Sequence, residues 1–174
     1  MKQETLHSMQ QRRSVRAYWP QQVTEEELNR VLEAGVYAPT AMGKQSPKMV
    51  VVQDPETRNT LSRLNARVMG QEEGDPFYGA PTVIVVFGDS ACGTCVEDAS
   101  LVLGNLLLAA YAVGLGACWI HRAREVFDSP EGKALMRQWN IPDRYVGVGH
   151  CILGYAQGDL PAPKPRKPDY VVRV

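Results

Sequence analysis

The chain has 174 residues, the length of one ordinary domain that can bury a hydrophobic core without disulfide or metal support. Hydrophobic residues make up 44% and charged residues 22%, the proportions of a soluble globular protein. Because 19 basic and 19 acidic side chains cancel, no overall field favours binding to nucleic acid or to a membrane surface. Any anion site must therefore be a local cluster.

The first residues and the cysteines bear on the cellular compartment. The N-terminal stretch is polar and lacks the apolar segment of a secretory signal. Four cysteines in a domain of this size do not indicate a disulfide framework. We therefore expect a cytoplasmic protein with reduced thiols.

Residue periodicity predicts helices and strands mixed along the chain. Thr24 and Glu27 form a capping-box pattern at the start of one helix, which Pro39 ends. The run Thr82–Phe87 is apolar and β-branched, which is typical of a central strand. The pattern indicates one layered α/β domain. Helices are predicted over 3–11, 25–38, 55–69 and 95–113, one or two short helices within 122–139, and further strands over 48–53, 117–121 and 145–153.

The most apolar stretch, Leu101–Val113, lies in the helix predicted over 95–113. It is shorter than the roughly 20 residues that span a bilayer, and Gly104 and Asn105 interrupt it. A helix that is apolar nearly all round is usually buried in protein. We therefore expect a buried core helix and no membrane span.

Two basic clusters could bind an oxyanion. The first combines three guanidinium groups and a hydroxyl within five residues, a set that can hold a phosphate. The second lies in a proline-rich tail, residues 159–174, which we expect to be extended. Taken alone, each is more typical of a solvated basic surface or a disordered tail. The clusters consist of Arg12, Arg13, Ser14 and Arg16, and of Lys164 and Arg166.

Two further segments suit a planar ligand. The loop 38–45 is small and polar, so its backbone can approach a ring, and Gln45 can donate and accept hydrogen bonds; an ordinary helix-to-strand connection has a similar composition. The stretch 114–121 ends the apolar helix with glycines, Trp119 and His121. It is not a dinucleotide fingerprint, because its glycines follow a helix and lack the third member. The backbone N–H of His121 is a better candidate donor than its ring.

Cys92 and Cys95 follow a strand and precede a helix, the position of a thioredoxin-like redox pair. A zinc site would need two further ligands at a familiar spacing, and the sequence offers none. A pair of cysteines that packs or caps the helix is the favoured interpretation.

Taken together, these segments resemble the nitroreductase family of flavoproteins over nearly the whole chain. The similarity lies in RRSVRAY at 12–18, TEEELNRVLEAGVYAPTAMGKQ at 24–45, GLGACWI at 114–120 and GHCILGYAQGDLPAPKPRKP at 149–168. Each motif is weak alone, whereas their order and spacing make the match specific.

The resemblance implies an α+β fold, a mixed sheet flanked by helices in three α/β/α layers, formed by residues 1–174 as a single domain. It implies a homodimer with flavin mononucleotide (FMN) at the subunit interface and a long buried central helix. Arg12, Ser14, Lys164 and Arg166 match positions that hold the flavin phosphate and ribityl chain, with Arg13 and Arg16 beside them. The partner's covering loop matches Pro39, Thr40, Ala41, Met42 and Gln45, and the segment against the isoalloxazine ring matches Trp119, Ile120, His121 and Arg122.

Two features depart from the family pattern. The covering loop commonly has Asn where this chain has Gly43, and Pro-Trp where it has Ser46-Pro47, so we expect a looser contact with the flavin there. The chain is also short for the family, which implies few excursions over the site.

The function that the resemblance implies is FMN-dependent reduction of nitroaromatics, quinones or similar electron-poor molecules by NADH or NADPH. Flavin carries this chemistry, so no catalytic side chain and no metal is expected. Without a second nucleotide-binding unit, the two substrates should use one site in turn. Two alternatives stay open: an FMN-binding or storage module without turnover, and a thiol–disulfide oxidoreductase that uses Cys92 and Cys95.

Overall fold

The computed structural model describes residues 2–71 and 73–174. Helices and strands lie where the sequence patterns predict them, with small shifts at their ends. The stretch 122–139 forms two helices, because Ser129 caps the second and Pro130 occupies its first turn. The helices are α1 Lys2–Gln11, α2 Glu25–Val36, α3 Pro55–Val68, α4 Cys95–Ala112, α5 Ala123–Asp128 and α6 Pro130–Gln138, and the strands are β1 Lys48–Val52, β2 Thr82–Asp89, β3 Gly116–Ile120 and β4 Tyr145–Gly154.

Helix α2 begins with the predicted capping box. The Glu27 N–H donates to the Thr24 hydroxyl at 3.3 Å, and the Glu27 carboxylate accepts from the Thr24 N–H at 2.9 Å. The Tyr155 hydroxyl donates to the same carboxylate at 2.7 Å. Hydrogen bonds from Thr24 and Tyr155 lower the pKa of Glu27. This carboxylate therefore joins the start of α2 to the chain that leaves β4.

The sheet has the strand order β1-β2-β4-β3, and all three pairings are antiparallel, whereas the resemblance implied a mixed sheet. Strand β2 is buried along its whole length, which confirms it as a central strand. A parallel bridge joins Ser14 to Ala117 at the outer edge of β3. The first basic cluster is thus fixed beside an edge strand.

Helices cover both faces of the sheet, so the predicted three-layer α/β/α arrangement is confirmed. On one face α3, α5 and α6 pack through side chains such as Leu61, Phe127 and Met136. On the other face α2 and α4 pack through Val31 and Leu106. Two apolar clusters therefore share one sheet.

Helix α4 is buried on one face only within the single chain. The buried face includes Asp98 and Leu103, whereas Leu101 is 48% exposed and Leu108 is half-buried. By length and composition, α4 is the one helix in the described ranges that could cross a bilayer. Its packing against α2, β2 and β4 is instead that of a core helix.

Candidate functional site

A cleft of about 940 Å³ lies between α1, the C-terminal end of α4 and the start of β3. Arg12 and Arg13 line one side of it, and Gly116 and Ala117 line another. This volume is in the range of pockets that hold a cofactor or small molecule. Further wall residues are Glu4 and His7 from α1, Leu107 and Tyr111 from α4, and Ala156, Gly158 and Leu160 after β4.

Among the basic residues that line this cleft, Arg13 has its side chain held by hydrogen bonds. Its Nη1 donates to the carbonyls of Gln10 at 2.7 Å and Arg12 at 2.8 Å. Its Nε is buried and has no hydrogen-bond partner among the described residues. A buried guanidinium donor without a partner is unfavourable unless an acceptor such as a phosphate oxygen reaches it. The donor set therefore fits an oxyanion.

The basic segment depends on a close approach to β3. The Val15 N–H donates to the Ala117 carbonyl at 3.1 Å. A Cβ on Gly116 would lie 2.9 Å from Val15 Cγ2, closer than carbon atoms approach in packed proteins. Glycine at position 116 therefore lets residues 12–16 lie against the edge strand.

The segment Trp119–Arg122 continues from the same strand into the turn before α5. Trp119 is half-buried, and its indole covers Gly149, where a Cβ would lie 2.6 Å from Trp119 Nε1. Ile120 is buried, while His121 is exposed. Arg122 adopts a left-handed conformation with φ 72°. Strand β3 thus connects the basic cluster at residues 12–16 to Trp119–Arg122, the segment expected to lie against the ring.

The loop 39–45 is organised by a buried carboxylate from α4. Asp98 is 3% exposed, and its Oδ1 accepts from the Ala41 N–H at 3.1 Å. Its Oδ2 accepts from the hydroxyls of Ser46 at 3.4 Å and Thr94 at 3.3 Å. Met42 is 84% exposed, so the loop presents a large apolar side chain outward.

The conformation and hydrogen bonds of this loop account for its departures from the family pattern. Gly43 has φ 64°, a left-handed conformation that glycine adopts without strain. Ser46 donates to Asp98 and so contributes to the loop's internal bonding. Within the loop, the Gln45 N–H donates to the Thr40 hydroxyl at 2.9 Å, and Pro39 is exposed.

Within one chain, the loop and the basic cluster lie at opposite ends of α4. Asp98 anchors the loop in the first turn of the helix, whereas Tyr111 lines the cleft in its last turn. At a rise of 1.5 Å per residue, these positions are about 20 Å apart along the helix. The structure therefore brings Arg12 and Arg13 close to β3 but does not bring the loop to them.

The second basic cluster lies in the exposed tail. Residues 159–174 form no helix or strand and are exposed throughout. Lys164 follows the cleft residue Leu160 by four residues, about 14 Å of extended chain at most. Lys164 is thus within reach of the cleft, but neither it nor Arg166 lines the cleft. Arg16 is exposed, and Ser14 is half-buried.

Cys92 and Cys95 lie where the turn after β2 leads into α4. Cys92 and Cys95 are half-buried free thiols in a turn where the Cys95 N–H donates to the Cys92 carbonyl at 3.1 Å. A Cβ on Gly88 would lie 2.4 Å from the Cys95 carbonyl oxygen, so α4 begins in close contact with β2. Within residues 2–71 and 73–174, no group of three or more His, Cys, Asp and Glu side chains could hold a metal ion.

The sequence patterns did not identify two buried polar residues, Asn65 and Asp98, that hydrogen-bond to segments of the candidate site from other helices. Asn65 on α3 is fully buried and bonds to the turn after β3, and Asp98 bonds to the loop. Neither belongs to a local motif, and an Asn inside a helical pattern gives no signal of its partner. Asn65 is identified only by its buried, hydrogen-bonded side chain in the folded structure.

Comparisons with known proteins agree with this arrangement. The profile of the Nitroreductase family matches residues 9–155. A protein from Methanothermobacter thermautotrophicus, whose name pairs NADH dehydrogenase with NAD(P)H nitroreductase, is 30% identical over 88% of this chain and 78% of its own length. The crystal structure of a nitroreductase with bound FMN from Bacteroides fragilis superposes with a TM-score of 0.91, at 29% identity and 98% coverage of both chains. An FMN-dependent nitroreductase from Clostridium difficile gives a TM-score of 0.87, at 26% identity and 100% coverage of both chains.

Proposed function

Because the chain belongs to the Nitroreductase family and is an FMN-dependent NAD(P)H oxidoreductase, we propose that it reduces nitroaromatics, quinones and similar electron-poor small molecules. The observation that carries the proposal is the cleft beside the start of β3, which Arg12 and Arg13 line. Steady-state oxidation of NADH or NADPH with a nitroaromatic or quinone acceptor tests it. FMN binding without acceptor-dependent oxidation of either nucleotide would contradict it and indicate a flavin-binding module.

The cleft and β3 suggest how the cofactor is held. We assign the flavin phosphate and ribityl chain to the two basic clusters and the ring to Trp119–Arg122, about 10 Å further along the strand from Ala117. When bound, FMN supplies hydride transfer at N5, from NADH or NADPH to the acceptor. The chain orients the ring and supplies preorganised backbone donors around His121. The residues assigned to the clusters are Arg12, Arg13, Ser14, Arg16, Lys164 and Arg166.

We also propose that the native protein is a homodimer with two equivalent, shared flavin sites. The open face of α4 is apolar and includes Leu101, Leu108 and Ala112. If two such faces pack antiparallel about a twofold axis, the loop 39–45 of one chain lies near the cleft of the other. This packing accounts for a loop and a basic cluster that are about 20 Å apart in one chain.

Leu108→Glu in this open face is expected to give a monomer. A carboxylate placed in an apolar interface should weaken association by at least about 2 kcal/mol, roughly thirtyfold in the dissociation constant. Sedimentation at several protein concentrations measures it. Val68→Glu, on an exposed apolar position of α3, is the matched control and should stay dimeric. A wild-type monomer that binds FMN tightly would contradict the shared site.

Arg12→Ala and Lys164→Ala should each weaken FMN binding. Loss of one partner in a charge-assisted hydrogen bond costs about 1.5–3 kcal/mol, tenfold or more in affinity. Flavin fluorescence titration of the apoprotein measures the change. Arg137→Ala removes an exposed guanidinium from α6 and should bind FMN as the wild type does. Unchanged affinity in both cluster variants would refute the phosphate assignment.

Turnover is expected to be ping-pong. The sequence has no dinucleotide fingerprint, so the nicotinamide has no separate domain and must leave before the acceptor enters. Initial rates at several fixed acceptor concentrations should give parallel double-reciprocal lines. Intersecting lines would require a second substrate surface.

We further propose that residues 1–174 act as one FMN-binding domain in the cytoplasm, with 159–174 as its tail. Two apolar clusters on one shared sheet support a single unit. Four free thiols are in keeping with a reducing compartment.

A further inference from the structure

The turn between β3 and α5 is held by Asn65, a fully buried amide in the last turn of α3. Its Nδ2 donates to the carbonyl of His121 at 2.9 Å, and its Oδ1 accepts from Nε of Arg122 at 3.1 Å. Both ends of one amide thus bond to two successive residues that lie more than 50 positions away in the sequence. A buried amide with both ends satisfied is fixed in one orientation.

The turn needs such support. Arg122 has φ 72°, a left-handed conformation that a non-glycine residue adopts at a free-energy cost. It is also the residue before α5, and its carbonyl accepts from the Val126 N–H at 3.0 Å. The contacts of Asn65 with residues 121 and 122 therefore oppose relaxation of the backbone at this position.

The same bond orients the following backbone donor. In a trans peptide, the C=O and the N–H point in opposite directions, and none of the described peptide bonds is cis. Since the His121 carbonyl points at Asn65, the N–H of Arg122 points away from α3. Among the described residues, neither this N–H nor that of His121 donates to a protein acceptor. The turn thus presents backbone donors that the protein itself leaves available.

We infer that Asn65 is a positioning residue for the flavin site: it holds the His121–Arg122 peptide so that the Arg122 N–H is a fixed donor toward the ring. The inference rests on the proposed placement of the ring along β3. Reduction of a flavin places a hydrogen on N5 and negative charge on the pyrimidine side of the ring, so a fixed donor interacts differently with the two redox forms. Loss of Asn65 should therefore change the ratio of the two affinities, which a merely structural residue would leave unchanged.

Three variants separate these roles. Asn65→Leu removes both hydrogen bonds at similar volume, whereas Asn65→Asp keeps the shape and the acceptor for Arg122 but removes the donor to His121. Ser62→Ala is the matched control, because Ser62 is also buried on α3 and bonded, to Asp75 at 2.6 Å, but does not contact the turn. Each purified protein is loaded with FMN, and its affinities for oxidised and reduced FMN and its midpoint potential are measured.

Asn65→Leu and Asn65→Asp should each change the ratio of the affinities for reduced and oxidised FMN about tenfold, a shift of about 30 mV in the two-electron midpoint potential. Ser62→Ala should keep the wild-type ratio even if its melting temperature falls. If both Asn65 variants fail to fold, Arg122→Lys, which keeps the positive charge and removes the Nε that donates to Oδ1, should change the ratio about threefold.

Ratios within twofold of the wild type in every folded Asn65 and Arg122 variant would overturn the inference while leaving the proposed function intact. A wild-type protein that binds neither form of FMN would overturn both.

Discussion

Replacing Gly147 by alanine is expected to destabilise the protein by about 3 kcal/mol or more, a larger change than most single substitutions produce. A Cβ at this position of β4 would lie 2.5 Å from the carbonyl oxygen of Ala123 and 2.9 Å from Cδ2 of Phe127. Backbone atoms cannot step aside as a flexible side chain can, so α5 would have to move away from the sheet. Because α5 follows Arg122 directly, FMN affinity should fall as well.

Chemical denaturation with circular dichroism measures the free energy of unfolding of this variant. Gly93→Ala is the control, because a Cβ there meets nothing within 4 Å and the residue precedes α4 in an open turn. Its stability should stay within about 0.5 kcal/mol of the wild type. Equal effects of the two substitutions would mean that the contact between β4 and α5 is not the cause.

Acidification from pH 7 to pH 4 is expected to remove about 3 kcal/mol of stability through His150 alone. This histidine is fully buried between Phe77 and Phe127, and burial lowers its pKa from 6.5 to about 4. Its ring Nδ1 lies 3.3 Å from the Ile120 carbonyl, which can accept only from the protonated nitrogen. Nearby Arg122 and His121 also disfavour a second proton.

The loss of stability at lower pH follows from proton linkage. The unfolded chain binds a proton at His150 below about pH 6.5, whereas the folded protein does not until about pH 4. The contribution of the neutral ring is therefore fully present above pH 6.5 and is lost as the pH falls toward 4. Each pKa difference of one unit corresponds to about 1.4 kcal/mol.

Denaturation curves between pH 7 and pH 4 test this prediction. His150→Leu removes the titrating group and should flatten the decrease over that window, whatever its own stability at pH 7. His7→Ala removes an exposed histidine on α1 and should keep the wild-type decrease. If the wild type and the His150→Leu variant lose stability in parallel, the acid sensitivity has another source.

Helices and strands could be predicted from the sequence where residues close in the chain determine them. The capping box of Thr24 and Glu27 and the β-branched run of β2 lie where the sequence places them. Helix α4 shows the limit of such reasoning. Its composition predicts burial nearly all round, yet one chain covers only the face that includes Leu103 and Leu106. Hydrophobicity indicates that a surface is to be covered, but it does not indicate what covers it.

The residues of the candidate site likewise divide into those that sequence motifs indicated and those that only the folded structure identified. The basic residues at 12–16 and the segment 119–122 form contiguous motifs, so the resemblance to the family could propose them as the sites of a phosphate and a ring. Asn65 and Asp98 form no motif, and each bonds to a segment more than 50 positions away. Their roles depend on distances between elements that no local pattern encodes.

By itself, the sequence determined the family and the order of helices and strands. The order of the elements follows from periodicity and capping, which are interactions among residues close in the chain, and the family follows from the order and spacing of motifs that resemble nitroreductases. Only the tertiary structure decided that Gly116 and Gly147 must lack a side chain, that Asn65 holds the turn at Arg122, and that the loop and the cleft lie at opposite ends of α4. The physical reason is that steric exclusion and buried hydrogen bonds act between elements that folding alone brings together.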